Sequence, residues 1–473
     1  MSIYTLESER ASPYNRVGKD PLRYFKDLSL AVLDQLITPE GIFASTFKGH
    51  EGIFYGRFRR DSAKIAKFVL AALPNHSAKL ISNTVDGFLW LDQFRGKQNV
   101  SKRGEEQDKE PHEVRSPGYY DHLTTGRVNQ RQKPFFVDKS SGFMINWDSV
   151  DATPLAGLIR CEFLNLGLVD PNEQIPLLKK SLEWSLRNLH ESSGFPGFAY
   201  NPRRPYACLP NQHWADSEFT MYHRDGRPAA YPRKPVEVAG YTWAFFLHGA
   251  DQLDRENHQH TDHAFAKKLR VVAADLKKRF NSPQGFLMPD NKVGAYFAEF
   301  IDGNGQQGTN VTSQVGLGMS FTYQGESIVE ERYLASTVAR IMQPDLFDPT
   351  AGLRIYSNEE STTFDPDGYH SSSDTYWPFE PPLVAIGFEQ LQFESEAKNL
   401  MLSIFPPITH FGCCIEQFRV RNGIYDRFRN SQTGQTSSTD QGWTAAGLYY
   451  AATHPLVREF FASLRPQPHL FVA

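Results

Sequence analysis

The sequence predicts an all-α protein, and three observations favour an (α/α)6 barrel with long loops on one face. Apolar residues recur at helical spacing in about a dozen segments. Long polar insertions at 95–146, 192–235 and 344–377 separate some of these segments. No linker rich in Gly, Ser and Pro divides the 473 residues. A dozen helices joined by long loops favour a ring of helical hairpins over a small bundle, so we expect 1–473 to be one domain.

The predicted helices follow one another along the whole chain. Most of them begin after Asp, Ser or Pro and end near Gly, Asn or Pro, as helix caps require. Their expected bounds are 22–37, 62–73, 78–94, 151–168, 173–189, 237–253, 262–280, 311–320, 327–342, 379–391, 394–405, 441–452 and 455–464. The three insertions between them are long for a compact domain, and loops of that length are usually functional.

Composition excludes several classes of function. The net charge of -4 gives no basic face for nucleic acid or for an anionic membrane. The polar N-terminus lacks the apolar core of a secretory signal, and no stretch of about eighteen apolar residues could span a membrane. We therefore expect a cytoplasmic protein without nucleic-acid or membrane partners. Four irregularly spaced cysteines favour neither disulfides nor zinc, and we predict no metal and no cofactor.

Two carboxyl groups are candidates for acid and base chemistry. Asp216 lies beside Trp214 in a loop that leads into an apolar helix, where the indole would favour the protonated carboxyl. Glu416 lies in the short apolar run 411–418, where a carboxylate is costly unless it is paired or faces a cleft. Glycoside hydrolysis needs such a pair. Taken singly, however, Asp216 could cap a turn and Glu416 could be a half-exposed strand residue.

Other polar and aromatic groups lie where loops meet predicted helices. The adjacent Arg60 and Asp61 could cap a helix, and could also hold vicinal sugar hydroxyls with a donor and an acceptor together. Glu113 and Arg115 could equally be a solvated loop end, and Asp151 could be purely structural at a helix start. The complete set of predicted binding residues is Arg60, Asp61, Glu113, Arg115, Trp147, Asp148, Asp151, Trp214, Glu237, Tyr369, His370, Trp377, Gln441 and Trp443.

The order and spacing of these motifs resemble the amylo-α-1,6-glucosidase domain of glycogen-debranching enzymes. The matching motifs are 60–62, 112–115, 150–155, 214–217, 236–241, 312–313, 369–370, 377–378 and Glu416. The resemblance implies an (α/α)6 barrel that hydrolyses α-linked glucose with inversion, with Asp216 as general acid and Glu416 as general base. It also implies that the other motif residues line the pocket for the terminal sugar. Inversion would require carboxyl groups about 6.5 to 9.5 Å apart.

The expected substrate is a small α-glucoside, for example the compatible solute glucosylglycerol. Only about fifty residues precede the motif at Arg60, where debranching enzymes usually carry a further domain. Hydrolysis of a glycogen limit dextrin is the alternative within the same reaction class. A sugar epimerase, a polysaccharide lyase and a carbohydrate-binding protein without activity stay open, because fold alone does not decide function.

Overall fold

Helices are the main regular structure of this chain. The computed structural model describes residues 20–47, 54–118, 133–255, 260–362, 365, 368–431 and 434–464. Within these residues the α-helices are α1 (Pro21–Leu36), α2 (Arg59–Ala71), α3 (Ala78–Leu89), α4 (Ala152–Asn165), α5 (Pro171–Glu191), α6 (Val236–Asp254), α7 (His263–Phe280), α8 (Gln314–Met319), α9 (Glu331–Ile341), α10 (Glu380–Gln390), α11 (Glu394–Leu402), α12 (Phe405–Phe411), α13 (Gly442–Thr453) and α14 (Pro455–Ser463).

Six helices contact one another in a closed cycle, which we call the inner ring. Its members, in order of contact, are α2, α4, α6, α8, α10 and α13, and α13 closes the cycle on α2. These helices are apolar on several sides; all residues of α13 are buried. Backbones come close where α6 meets α8, since a Cβ on Gly240 would lie 2.4 Å from the Gly318 carbonyl oxygen. This cycle is compatible with the predicted (α/α)6 barrel.

A second set of helices packs outside the inner ring. Helix α1 packs on α13, α3 on α2, α5 on α4, α7 on α6, and α11 on α10. Four of these outer helices carry side-chain caps, because Asp20, Ser77, Asp170 and Asp262 each accept a hydrogen bond from a backbone N–H of the first turn. The inner helices have no such side-chain caps. The N–H groups in the first turns of the inner helices are therefore available for hydrogen bonds with the loops that precede these helices.

The all-α prediction is wrong in one respect, because short strands occur in the connections. They are β1 (Ile37–Thr38), β2 (Gly41–Ile42), β3 (Arg57–Phe58), β4 (Glu113–Arg115), β5 (Met144–Asn146), β6 (Lys234–Pro235), β7 (Leu287–Asp290), β8 (Gly294–Phe297), β9 (Phe300–Ile301), β10 (Phe347–Asp348), β11 (Gly352–Leu353), β12 (Thr375–Tyr376), β13 (Phe418–Arg421) and β14 (Ile424–Arg427).

All the pairings between these strands are antiparallel. They form three-stranded sheets in the orders β3-β4-β5 and β12-β13-β14, and two-stranded ladders β1-β2, β6-β9, β7-β8 and β10-β11. Parts of the predicted insertions 95–146, 192–235 and 344–377 are thus hydrogen-bonded to other loops. Buried loop backbone needs such partners, since an unpaired N–H or C=O group away from water is costly.

The helices of the described part of the chain are not of the membrane-spanning kind. None of them is both long enough and apolar enough to cross a bilayer.

A buried ionic network joins the inner ring to the loop that follows α3. Glu110 is fully buried, and its Oε2 accepts hydrogen bonds from Arg59 Nε at 3.0 Å and Nη2 at 2.8 Å. Its other oxygen accepts one from Arg95. Arg160 of α4 donates to Asp92 Oδ1 at 2.8 Å beside this pair. Removing one member of a buried network leaves the other charges without partners.

We expect Glu110→Gln to lower the free energy of unfolding by about 3–5 kcal/mol, because two buried guanidinium groups lose their shared carboxylate. Urea titration followed by circular dichroism measures the change. Glu326→Gln is the matched control, since its carboxylate is 69% exposed and pairs with Lys277 at the surface; it should cost less than about 1 kcal/mol. Equal losses in the two variants would contradict this account.

Candidate active site

A pocket lies over the N-terminal ends of α2 and α13. The space between its walls amounts to about 350 Å³ when the open solvent at its mouth is included. The residues that line it come from α2, α13 and the loops around them. They are Ala44, Phe54, Phe58, Arg60, Asp61, Trp214, Asp216, Tyr369, His370, Trp377, Glu416, Gln441 and Trp443.

Each inner-ring helix carries a polar side chain at or beside its first residue. They are Arg60 and Asp61 in α2, Asp151 before α4, Glu237 in α6, Ser313 before α8, Glu380 in α10 and Gln441 before α13. Loop carbonyls accept hydrogen bonds from several of these N-termini, such as His112 O from Arg59 N and Ala44 O from Gly442 N. The N-terminal end of a helix carries partial positive charge, which favours carboxylates there.

Asp216 is a carboxylic acid that is partly open to the pocket. Its side chain is 29% exposed, and Arg60 Nη1 lies 3.5 Å from Oδ2. Burial raises the pKa of Asp216 to about 6, while the guanidinium of Arg60 opposes that rise. With this pKa, about one-tenth of the molecules carry a proton on Asp216 at pH 7, far more than for an ordinary Asp, and a general acid needs that proton.

Two uncharged imidazoles flank Asp216. His112 Nε2 lies 3.9 Å from Oδ2, and His370 Nδ1 lies 3.9 Å from Oδ1. Burial lowers the pKa of His112 to about 3 and that of His370 well below its usual value, so neither adds positive charge at neutral pH. His370 Nδ1 is also 2.6 Å from the Ser217 hydroxyl oxygen. Ser217, the residue after Asp216, is therefore hydrogen-bonded to a residue that lines the pocket.

Arg60 is held in place by groups other than Asp216. Its Nε donates to Asp151 Oδ2 at 2.6 Å, and its Nη2 donates to the His213 carbonyl at 2.9 Å. Asp151 is fully buried and is itself hydrogen-bonded to the Ser149 hydroxyl. Asp151 does not line the pocket; its contact with Arg60 fixes the guanidinium that faces Asp216.

Asp61 is a further carboxyl group of the pocket. It is 5% exposed, and Gln441 Nε2 donates to its Oδ1 at 3.5 Å. Burial raises its pKa above the usual range, with Arg60 and Lys64 opposing. The pair of Asp61 and Gln441 joins the start of α2 to the start of α13 and presents both an acceptor and a donor.

Glu416 is more enclosed than Asp216. It is 2% exposed, its Oε1 accepts a hydrogen bond from the Tyr369 hydroxyl, and its Oε2 accepts one from Ser438 N at 2.8 Å. Burial raises the pKa of Glu416 to about 7, and both hydrogen bonds oppose the rise. Above that pH the group is an ionised carboxylate with fixed orientation, which suits a general base.

Aromatic rings form the floor of the pocket. His370 stacks on Trp377 with a centroid distance of 4.8 Å and an interplanar angle of 7°. Trp214 meets Trp377 edge to face at 5.6 Å, and Trp443 meets it in the same way at 5.8 Å. Below them, Lys64 Nζ lies 4.9 Å from the Trp443 centroid. Locked rings of this kind offer rigid apolar faces to a ligand.

Several predicted binding residues are not among those that line this pocket. Glu113 contacts Arg115, Trp147 Nε1 donates to the Phe94 carbonyl at 3.1 Å, Asp148 pairs with Arg204, and Glu237 Oε1 lies 2.7 Å from His213 Nδ1. Like Asp151, these side chains make contacts within the protein. A direct role for them in sugar binding stays a prediction.

Some pocket residues were not predicted. Ala44, Phe54 and Phe58 line the pocket without belonging to the predicted set. For Phe58, its position two residues before Arg60 in the sequence could have indicated that it lies near the pocket. Ser438, which donates to Glu416, carries no local signal because its partner is 22 positions away.

Comparison with known proteins identifies the fold but no family. No protein-family model and no curated protein matches this sequence. Among solved structures, an uncharacterized conserved protein from Thermus thermophilus is 12% identical with a TM-score of 0.53, over 91% of this chain and 100% of that chain. The GH63 mannosylglycerate hydrolase from the same organism, in complex with glucose, is 13% identical with a TM-score of 0.56, over 90% and 99%.

A third solved structure is a glycosidase variant in complex with glucose. It is 11% identical with a TM-score of 0.50 and covers 92% of this chain and 97% of that chain. The chain therefore shares, along most of its length, the fold of proteins that include glycoside hydrolases.

Proposed function

We propose that this protein is an inverting glycoside hydrolase with an (α/α)6 barrel that releases glucose from a small α-glucoside. One observation carries the proposal: Asp216 and Glu416 line the same pocket, each with a raised pKa and each held by different partners. The closed inner ring of helices supports the barrel. The shared fold with glycoside hydrolases supports the reaction class.

In the proposed reaction, the protonated Asp216 donates its proton to the glycosidic oxygen as the bond from that oxygen to the anomeric carbon breaks. A water molecule on the opposite face gives a proton to Glu416 and forms the new bond to the anomeric carbon. The bonding pair of the broken bond stays with the leaving oxygen, which departs as an alcohol. One inversion at the anomeric carbon converts an α-glucoside into β-glucose.

The pH dependence of kcat/KM is expected to be bell-shaped, with its optimum between about pH 6 and pH 7. The active form needs a proton on Asp216 and none on Glu416, whose pKa values are raised to about 6 and about 7. Below the optimum Glu416 is protonated, and above it Asp216 loses its proton. Initial rates from pH 4.5 to 9 measure the profile, and a flat profile across this range would contradict the assignment.

Because the acid has the lower pKa, the active form is a minority species. The form with the proton on Glu416 instead outnumbers it by roughly tenfold. Bound substrate displaces water from around Asp216 and Glu416 and so changes the pKa values of both carboxyl groups. The pH profile of kcat is therefore expected to differ from that of kcat/KM, which reports the free enzyme.

The pocket and the neighbouring structures favour a small substrate over a polymer. Most of the residues that line the pocket are buried, which suits one sugar unit with a compact aglycone better than a polymer. One solved neighbour is a mannosylglycerate hydrolase, seen with glucose and also with Tris and D-glycerate. We therefore place glucosylglycerol and related hexosides of small hydroxylated aglycones first, and a glycogen limit dextrin second.

A panel of glycosides tests this function. It comprises glucosylglycerol, the α-glucoside and the α-mannoside of glycerate, isomaltose, sucrose, trehalose and a phosphorylase limit dextrin. Chromatography identifies the released sugar. Hydrolysis of one small glycoside well above the others would support the proposal. Release from limit dextrin alone would favour a debranching activity, and no release from any member would count against a glycosidase.

An epimerase is the second candidate, and one observation favours it. His112 and His370 each lie 3.9 Å from Asp216, and His370 lines the pocket, where an imidazole could exchange a proton with the carbon skeleton of a sugar. Incubation of the protein with glucose and with mannose in deuterium oxide tests this. Incorporation of deuterium at carbon, without glycoside cleavage, would favour the epimerase.

A further inference from the structure

The second oxygen of Glu416 is bound to a loop that is itself bound to an arginine. Arg427, the last residue of β14, donates from Nε to the Ser437 carbonyl oxygen at 3.0 Å and from Nη2 to the same oxygen. Its Nη2 also lies 3.4 Å from the Thr436 hydroxyl oxygen. Ser437 and Ser438 are fully buried, and Arg427 is half-buried.

One peptide group connects Arg427 to Glu416. The carbonyl of Ser437, which accepts from Arg427, and the N–H of Ser438, which donates to Glu416 Oε2 at 2.8 Å, belong to the same peptide unit. A cation on the carbonyl side polarises the peptide and strengthens the hydrogen bond made by its N–H group. Glu416 is also fixed by its own backbone, since its N–H donates to the Ser438 carbonyl at 2.9 Å.

We propose that Arg427 is a positioning residue for Glu416 and acts on it through the peptide group between Ser437 and Ser438. The inference rests on the proposed function, in which Glu416 is the general base. Arg427 is not among the residues that line the pocket, so its effect on the reaction passes through Glu416.

The charged and titratable groups around Glu416 determine the direction of the effect. Tyr369, in the segment before β12, donates to Oε1. The charges of Asp61 in α2 and of Arg427 in β14 act on the pKa of Glu416, and the charge of Asp216 acts on that of Tyr369. Burial and Asp61 raise the pKa of Glu416, whereas Tyr369, the Ser438 N–H and Arg427 lower it. Loss of Arg427 therefore leaves Glu416 protonated to a higher pH.

The test is the pH profile of kcat/KM for Arg427→Met. At pH values below both pKa values the activity is proportional to the ionised fraction of Glu416, so we expect a loss of about threefold or more below pH 6. Above about pH 8 Glu416 is ionised in both proteins, and the two profiles should converge. Arg427→Lys, which keeps a cation that can reach the Ser437 carbonyl, should recover part of the loss.

Arg421→Met is the matched control. Arg421 lies on the neighbouring strand β13 and pairs with Asp374 Oδ2 at 3.1 Å, at a site where the two side chains are 49% and 41% exposed. Arg421→Met removes the same charge from the same β-hairpin as Arg427→Met does, and it should leave the pH profile of kcat/KM unchanged. An equal loss for Arg427→Met at every pH would indicate a merely structural role, and an unchanged profile would equally overturn the inference.

Tyr369→Phe provides an independent comparison, because it removes the hydrogen bond at the other oxygen of Glu416. We expect the same signature, a loss at low pH with convergence at high pH. Failure of the wild-type protein to cleave any glycoside would refute the proposed function. An active wild type with an unaltered profile in Arg427→Met would refute only this inference.

Discussion

Asp216→Asn is expected to lower kcat on α-glucosides with alcohol leaving groups by about 10²- to 10⁴-fold, because the amide has no proton to give to the glycosidic oxygen. The loss should depend on the leaving group. In α-glucosyl fluoride the leaving group is the fluoride ion, which needs no proton. The Asp216→Asn variant should therefore largely retain hydrolysis of this substrate. Initial rates on glucosylglycerol and on the fluoride measure the two cases.

The fold should tolerate this substitution. Asp216 is partly exposed and its nearest cation, Arg60, keeps its hydrogen bonds to Asp151 and to the His213 carbonyl. Asp225→Asn is a suitable control, since Asp225 is an exposed loop carboxylate paired with Arg227. Full activity of Asp216→Asn on alcohol leaving groups would remove Asp216 from the role of acid.

Glu416→Gln is expected to lower kcat by about 10²- to 10⁴-fold on both kinds of substrate, because either leaving group requires an activated water. The glutamine side chain keeps an oxygen that can accept one of the two hydrogen bonds made to Glu416. This distinguishes the two variants: Asp216→Asn retains the fluoride reaction and Glu416→Gln loses it. The same initial-rate assays provide the measurement.

Glu359→Gln is the control for the second variant, because Glu359 is exposed and bonded to Lys292 Nζ at 2.7 Å. Thermal unfolding of Glu416→Gln near the wild-type temperature would show that lost activity is not lost structure. If Glu416→Gln keeps its activity, the base is another carboxyl group. Asp61 is then the next candidate, because it lines the same pocket.

Much of the helical framework could be predicted because apolar periodicity is a local property. The expected helix at 262–280 corresponds to α7 (His263–Phe280), and that at 441–452 corresponds to α13 (Gly442–Thr453). The separate helix α12 (Phe405–Phe411) was missed. Its two prolines occupy the first turn, where a helix tolerates them, but in a sequence they read as an interruption.

The strands could not be predicted from local pattern. In the first three-stranded sheet, Arg57 of β3 pairs with Val114 of β4, and nothing in either short segment specifies a partner so far along the chain. These strands form because the loops that reach the inner ring are buried and need hydrogen-bond partners. Tertiary context, rather than β-propensity, decides such pairings.

Part of the site could be predicted from polar residues at helix starts, such as Arg60 and Asp61 in α2 and Gln441 before α13. Arg60, Asp61, Trp214, Asp216, Tyr369, His370, Trp377, Glu416, Gln441 and Trp443 line one pocket. That this pocket binds the terminal sugar stays a prediction. The contacts that each of these residues makes could not be predicted from the sequence. Tyr369, expected to bind sugar, donates its hydroxyl to Glu416, and Asp151 holds Arg60. Both depend on contacts between residues distant in sequence.

The anomeric form of the first product tests the central claim most directly. Wild-type protein and a cleaved α-glucoside from the panel are followed by proton NMR within the first minutes, before mutarotation mixes the anomers. The account predicts that β-glucose appears first and then decays toward the equilibrium mixture. Initial release of α-glucose would contradict it, since that outcome requires two displacements and a nucleophile in place of the base assigned to Glu416.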